Sequence, residues 1–125
     1  MEKVVLISIG AIVGANARYW TTEFFKKQFD TSFPLGTLVI NILGSFLLGL
    51  IMSLSTERLP IDPKLKMMIT VGFLGAYTTF STYSYESLTL LLSGQIVRGV
   101  FNLLGSSMLG GLAAGLGIWL SNRIG

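Results

Sequence analysis

The 125-residue sequence contains no cysteine and no histidine. Disulfide bonds, thiol chemistry, histidine-centred metal sites and Ser-His catalytic triads are therefore excluded. These exclusions remove most classes of enzyme, and we predict that the protein is not an enzyme. Charged residues are also scarce, because only 12% of the chain is Asp, Glu, Lys or Arg. An ordinary soluble domain carries about 25%.

Four runs of residues carry no charge, and 51% of the chain is apolar. The runs cover residues 4–17, 31–56, 67–85 and 99–122. The last three are long enough for a helix that crosses a bilayer, which needs about 20 residues. The first reaches that length if Arg18, Tyr19 and Trp20 lie at the membrane interface. The sequence therefore predicts an all-α membrane protein with four transmembrane helices, in a single domain over residues 1–125.

Polar turns separate the predicted spans. The first span runs from about residue 3 to 24, the second ends near Ser55, and the third extends from about Lys64 to Leu92. A turn at residues 93–95 leads into the fourth. Small residues recur at four-residue spacing within the spans, as Gly10 with Gly14, Ser45 with Gly49, Ser106 with Gly110 and Gly111 with Gly115. In lipid, such residues let helix backbones approach, so they predict tight helix packing.

Basic residues divide almost evenly between the two faces that an even number of spans creates. One face would hold Lys3, Arg58, Lys64, Lys66 and Arg123, and the other Arg18, Lys26, Lys27 and Arg98. Because the positive-inside rule needs an excess on one face, we predict that copies insert in both orientations and pair with inverted copies. The alternative is that a few basic residues near the first helix set one orientation. Scattered over the loops, these residues form no patch for nucleic acid.

The third predicted span is unusually polar in its middle. Five of the seven residues from Thr78 to Ser84 are Ser or Thr, and Gly72 and Gly75 precede them. Glycine weakens a helix, so a broken helix is one reading, and its freed carbonyl and amide groups would be able to hold ions. The other reading is a continuous helix whose hydroxyl groups bond to carbonyls one turn earlier.

Two further polar residues fall inside predicted spans. A carboxylate at membrane depth, such as Glu86, is costly and usually marks a pathway, although Glu86 would also fit near the far interface. The Asn41 amide offers two donors, which suit an anion or a hydrogen bond between helices. No basic side chain falls in the middle of a span, so a ring of Lys or Arg is not what would select an anion.

Three motifs resemble those of the Fluc (CrcB) fluoride channel family, in the family's order. They are residues 10–19 (Gly-Ala-Ile-Val-Gly-Ala-Asn-Ala-Arg-Tyr), residues 36–46 (Gly-Thr-Leu-Val-Ile-Asn-Ile-Leu-Gly-Ser-Phe) and the stretch from Gly72 to Glu86. The resemblance implies a channel that exports fluoride passively through the plasma (cell inner) membrane and so provides fluoride resistance. It also implies an antiparallel, dual-topology homodimer with a broken third helix, two pores and one structural sodium ion at its centre.

The resemblance also assigns roles to individual residues. The main-chain carbonyls of Gly75 and Thr78 would hold sodium, Asn41 would donate its amide to fluoride, and Phe80 would present its ring edge. The remaining pore positions fall at Ser81, Thr82, Tyr83 and Glu86, with Arg18 near the pore entrance and Ser106 as a candidate hydroxyl of the fourth span. Tyr83 stands where the family has a second phenylalanine, and its hydroxyl would help, obstruct or turn away.

These groups suit fluoride because a small, strongly hydrated anion needs compact donors in place of lost water. A second hypothesis is a small four-span proton-coupled drug exporter. Such a protein needs a membrane-embedded carboxylate, usually in the first helix, and none occurs between Val4 and Thr22. A third is a membrane subunit whose small residues only pack against partners, which leaves the Thr-Thr-Phe-Ser-Thr cluster unexplained.

Overall fold

The computed structural model describes residues 1–57 and 59–124. Within those residues it contains seven α-helices, two π-helical segments and no strand. The α-helices are α1 (Glu2–Gln28), α2 (Leu35–Glu57), α3 (Pro63–Met67), α4 (Gly75–Tyr77), α5 (Phe80–Leu92), α6 (Ile96–Val100) and α7 (Ser106–Arg123). The first π segment is Met68–Leu74 and the second is Phe101–Gly105. Of the residues named above, Arg58 lies outside the described residues.

Three helical stretches are long and apolar enough to cross a membrane. They are Glu2–Gln28, Leu35–Thr56 and Ile96–Arg123, the last of which joins α6, the second π segment and α7 without a gap. The all-helical prediction is therefore confirmed, as are membrane-length apolar helices for the first, second and fourth spans. The first helix is longer than predicted and continues ten residues beyond Arg18. Arg18 consequently lies inside α1 and not at its end.

The third predicted span has two helical parts. Asp62 caps the first part by accepting a hydrogen bond from the Lys64 amide at 2.9 Å, and Pro63 occupies the first helical position, where its missing N–H is not needed. Helix then continues through Tyr77 by way of the first π segment. Thr78 (φ −78°, ψ 158°) and Thr79 (φ −149°, ψ 123°) are extended, and α5 begins at Phe80.

Glycines mark the closest helix crossings. A Cβ atom built on Gly14 would overlap the Phe73 carbonyl oxygen, and one on Gly49 would overlap the Ala114 carbonyl oxygen. The α1 helix therefore packs directly on the first π segment, and α2 packs directly on α7, as expected for small residues in membrane helices. The Gly111 and Gly115 pair is different, because within the described part of the chain a Cβ atom at either position would meet nothing within 4 Å.

Polar contacts tie the connections together at opposite ends of α1. Glu2 forms an ion pair with Lys64 at 2.8 Å, which places the start of α1 beside the start of α3. Just past the other end of α1, about 40 Å away along a helix of 27 residues, Ser32 donates to Gln95 at 2.7 Å and accepts from Arg98 at 2.6 Å. The connection between α1 and α2 therefore meets the turn between α5 and α6 at the end of the bundle opposite the start of α1.

Candidate ion pathway

A groove of about 500 Å³ lies between α2, the junction of α4 and α5, and α7. Six of the residues predicted from the sequence line it, namely Asn41, Gly75, Thr78, Phe80, Tyr83 and Ser106. Further polar groups come from Ser45, Thr70, Thr79 and Ser107. The fold therefore brings together residues from three predicted spans, and it gives the groove hydroxyl groups, an amide and aromatic rings.

Asn41 pairs with the main chain of the extended residue Thr79. Its Nδ2 donates to the Thr79 carbonyl at 3.0 Å, and its Oδ1 accepts from the Thr79 amide at 2.9 Å. Both main-chain groups of Thr79 are thereby satisfied, which matters because unpaired backbone groups away from water are costly. Asn41 is thus an interhelix clamp. Its amide has a second N–H in addition to the one donated to Thr79.

The carbonyls of Gly75 and Thr78 lose their regular helical donors at the same place. In an α-helix each carbonyl accepts from the amide four residues later. Here the Thr79 amide donates to Asn41, and the Thr82 amide donates to the Thr79 hydroxyl at 3.2 Å. Main-chain oxygens released in this way are suitable ligands for a hard cation. Within residues 1–57 and 59–124 no group of three His, Cys, Asp or Glu side chains is placed to hold a metal ion.

Arg18 contacts the end of α4. Its Nε donates to the Ala76 carbonyl at 3.2 Å, and the side chain is half-buried. A cation at the carboxyl end of a helix is favourable because the last carbonyls carry partial negative charge. The structure thus places Arg18 beside the extended residues 78 and 79, and it lines neither this groove nor the second cavity described below.

The two aromatic residues of the groove differ in exposure. Phe80 is 79% exposed in the single chain, whereas Tyr83 is 8% exposed, and their ring centroids lie 5.7 Å apart. The Tyr83 hydroxyl donates to the Leu103 carbonyl in the second π segment and lies 2.9 Å from the Ser107 hydroxyl. The sequence left open whether this hydroxyl helps passage, obstructs it or turns away. In the structure the hydroxyl is bonded to the fourth predicted span.

Ser106 is buried and donates to Oδ1 of Asn102 at 3.0 Å. Asn102 in turn donates to the Ser87 hydroxyl at 2.7 Å. Sequence reasoning missed Asn102, although it is a polar residue inside the uncharged run 99–122, as Asn41 is inside 31–56. The same criterion that singled out Asn41 would have found it.

Glu86 lines a second cavity of about 460 Å³, together with Thr22, Lys26 and Thr37. Among the described residues, its Oε1 atom is buried and has no hydrogen-bond partner. Ser81 is exposed, Thr82 is half-buried, and neither lines either cavity. The α5 helix thus contributes to both cavities, because Phe80 lines the groove and Glu86 lines the second cavity, about 9 Å apart along the helix.

The family model described as CrcB-like protein, camphor resistance (CrcB), matches residues 5–118, which include every candidate residue from Arg18 to Ser106. The chain belongs to this family. A relative from Koribacter versatilis named fluoride-specific ion channel FluC is 50% identical over 117 residues, covering 94% of this chain and 92% of the relative. Relatives with the same name from Trichormus variabilis and a Sulfurihydrogenibium species are 43% and 40% identical. They cover 97% and 99% of this chain, and 89% and 100% of their own lengths.

The resemblance drawn from the three sequence motifs is therefore confirmed. The names of these relatives describe ion channels, which are not enzymes. The groove itself is lined by amide, hydroxyl and aromatic groups, and the described residues that form it include no charged side chain.

Proposed function

We propose that the protein is a fluoride-selective channel that lets fluoride leave the cell passively and thereby provides fluoride resistance. The observation that carries this proposal is a groove with uncharged donors, lined by the Asn41 amide, the Ser106 hydroxyl and the Phe80 ring. Fluoride is compact and strongly hydrated, so it needs several close donors, and neutral donors can bind it without trapping it. Membership of the CrcB family supports the same conclusion.

The proposed roles within the pore follow the two cavities. Asn41, Phe80, Tyr83 and Ser106 form the part of the path around the groove. Ser81, Thr82 and Glu86 continue it along α5 towards the second cavity, and Arg18 supplies positive charge near the entrance. The whole chain, residues 1–125, acts as one channel domain in the plasma (cell inner) membrane.

The functional unit in this proposal is an antiparallel homodimer with two pores. Three features support it: the even division of Lys and Arg between the two faces, the exposure of Phe80 in the single chain, and the absence of neighbours within 4 Å at Gly111 and Gly115. A second copy would cover these positions, and two like surfaces related by a two-fold axis form a closed pair.

The third span in this proposal is a helix broken at membrane depth. Backbone that leaves a helix inside a membrane must be buried by protein or line a cavity. The Asn41 pairing and the groove at Thr78 and Thr79 meet that requirement. The released carbonyls of Gly75 and Thr78, from each of two chains, would hold one structural sodium ion between the copies.

The proton-coupled exporter is not favoured. Among the described residues, α1 carries acidic side chains only at Glu2 and Glu23, near its two ends. Glu86 is the acidic residue that remains inside a span, and it lies in a cavity that also contains Lys26. The relatives reported above are named as channels.

Efflux from liposomes tests the function. Purified protein is reconstituted in liposomes loaded with fluoride or with chloride, and efflux is followed with ion-selective electrodes beside protein-free liposomes. We expect rapid fluoride efflux with chloride largely retained. Equal passage of both anions, or no passage of fluoride, would contradict the proposed function.

Two further measurements test the finer parts of the proposal. Reporter tags at the C-terminus should be accessible from both faces of the membrane, and a single orientation that persists after loop charges are changed would rule out the antiparallel dimer. Replacing sodium with a large organic cation should lower the melting temperature of the dimer, because a bound ion stabilises the state that holds it. An unchanged melting temperature would contradict the sodium site.

A further inference from the structure

A buried chain of hydrogen bonds joins α5 to the fourth predicted span behind the groove. Ser106 donates to Oδ1 of Asn102 at 3.0 Å, and Nδ2 of Asn102 donates to the Ser87 hydroxyl at 2.7 Å. Ser87 in turn donates to the carbonyl of Tyr83 at 2.8 Å. The chain therefore begins at one residue that lines the groove and ends at another.

The centre of this chain is inaccessible. Asn102 and Ser87 are each 1% exposed, and neither lines the groove. Burying an amide without partners is expensive, and here both ends of the Asn102 amide are used. Asn102 thus acts on the groove only through Ser106 and, by way of Ser87, through Tyr83.

The local backbone provides a second observation. Asn102 lies inside the second π segment, Phe101–Gly105. The π-helix is rare in proteins overall, and where it occurs it is often at a functional site. The same segment supplies the Leu103 carbonyl that accepts from the Tyr83 hydroxyl. Tyr83 is therefore held to this segment at two points, directly by its hydroxyl and indirectly by its own carbonyl.

We infer that Asn102 is a positioning residue of the pore, which fixes the Ser106 hydroxyl and the Tyr83 ring relative to each other across the groove. The inference rests on the proposed channel function. A dehydrated anion gains from groove-lining groups that are held in place before it arrives, and buried second partners hold them. Without the Asn102 amide, the Ser106 proton would turn to the main-chain carbonyl of residue 102, one helical turn earlier. The α5 helix would then lose its link through Ser87 and keep only the one from the Tyr83 hydroxyl to Leu103.

The test compares four variants of the full chain in liposomes, with the fluoride efflux rate divided by the amount of folded protein. The variants are Asn102→Leu, Ser106→Ala, the double variant and Ser121→Ala. Ser121 is a matched control because it is fully buried on the same helix as Ser106, and among the described residues its hydroxyl has no hydrogen-bond partner. The melting temperature of each variant is recorded separately.

We expect Asn102→Leu to lower the fluoride efflux rate about fivefold, the loss associated with one well-placed hydrogen bond. Ser106→Ala should lower it by a similar factor. Because Asn102 acts through Ser106, the double variant should be no slower than the slower single variant. Ser121→Ala should conduct at the parent rate.

Three results would overturn the inference. Asn102→Leu with the parent rate and only a lower melting temperature would make Asn102 a purely structural residue. Factors that multiply in the double variant would show that Asn102 acts independently of Ser106. If the parent protein itself passes no fluoride, the proposed function fails and the inference fails with it. The parent protein therefore tests the proposed function, and the variants test the role of Asn102.

A milder variant keeps the test decisive if Asn102→Leu does not fold. Ser87→Ala deletes only the oxygen that joins Asn102 to the Tyr83 carbonyl. It should lower the fluoride efflux rate about twofold, since one arm of the chain remains. Parent-like efflux in this variant would also overturn the inference.

Discussion

The two parts of the third predicted span, before and after Thr78 and Thr79, are held in different ways. The first part packs backbone to backbone, because Gly10 and Gly14 of α1 lie directly against Met68 and Phe73. The second part, α5, is held to the fourth predicted span by hydrogen bonds, because Tyr83 donates to the Leu103 carbonyl and Ser87 accepts from Asn102. We call the first part, which ends at Tyr77, the rigid support, and we call the second part, α5, the polar surface. The groove residues Phe80 and Tyr83 belong to the polar surface.

The largest expected effect is on the rigid support. Gly14→Val places a side chain where even a Cβ atom would overlap the Phe73 carbonyl oxygen. Overpacking of this kind typically costs about 1–3 kcal/mol, and here backbone would have to move. We expect little folded protein in size-exclusion chromatography. Ala15→Leu, at the adjacent exposed position of α1, is the control and should fold normally; equal yields would remove the distinction between the two parts.

The next effect is at the junction of the two parts. Asn41→Ala leaves the amide and carbonyl of Thr79 without their partners, each at a cost of about 1–3 kcal/mol, and also removes an amide from the groove. We expect fluoride efflux to fall tenfold or more. Asn16→Ala is the control, because the exposed Asn16 bonds only within its own helix, to the Ile12 carbonyl. Efflux at the parent rate in Asn41→Ala would refute the assigned pore.

On the polar surface, we expect Phe80→Ala to slow fluoride efflux about tenfold by removing a ring that lines the groove, because losing one donor from a dehydrated site costs about 1–3 kcal/mol. Phe80 is 79% exposed in the single chain. Phe24→Ala, also at an exposed position but on α1, should leave efflux unchanged. If both phenylalanine variants conduct alike, the ring has no role in passage.

The smallest effect should come from the Tyr83 hydroxyl. Tyr83→Phe keeps the ring and restores the residue that the family usually has, so we expect a similar or higher rate of fluoride efflux. The variant loses hydrogen bonds to Leu103 and Ser107, which should lower stability by about 1 kcal/mol. Tyr19→Phe, at an exposed position of α1, is the control for both measurements. A large loss of efflux would show that the hydroxyl itself takes part in passage.

Most of the candidate site was accessible to sequence reasoning because its residues are polar inside long apolar runs. Asn41 and Glu86 stand out for that reason, and the motif from Gly72 to Glu86 places Phe80 and Tyr83. Asn102 meets the same criterion inside the uncharged run 99–122, but it was overlooked because no motif in the fourth predicted span drew attention to it. The predicted end of the first span, near residue 24, also fell about one turn short, because α1 continues to Gln28.

The partners of these residues depend on tertiary structure. Asn41 was equally suited to an anion or to another helix, and the fold pairs it with Thr79, 38 residues away. The sequence left open what the Tyr83 hydroxyl bonds to. Because the second π segment lies close to α5, the hydroxyl donates to the Leu103 carbonyl. Hydrogen bonds between helices depend on how the two helices are rotated and how far apart they lie. The spacing of residues within one helix gives no information about either quantity.

By itself, the sequence determined the class of protein, because uncharged apolar runs of about 20 residues indicate membrane spans. Such a span forms a helix because its backbone polar groups find no water in lipid and must bond to each other. It also determined the family, through motifs in the first three spans. The tertiary structure alone decided how Thr78 and Thr79 leave the helix, because glycines and hydroxyl groups are compatible with either a break or a continuous helix. At Thr79, Asn41, brought in by α2, supplies partners for the main-chain amide and carbonyl that leave the helical pattern.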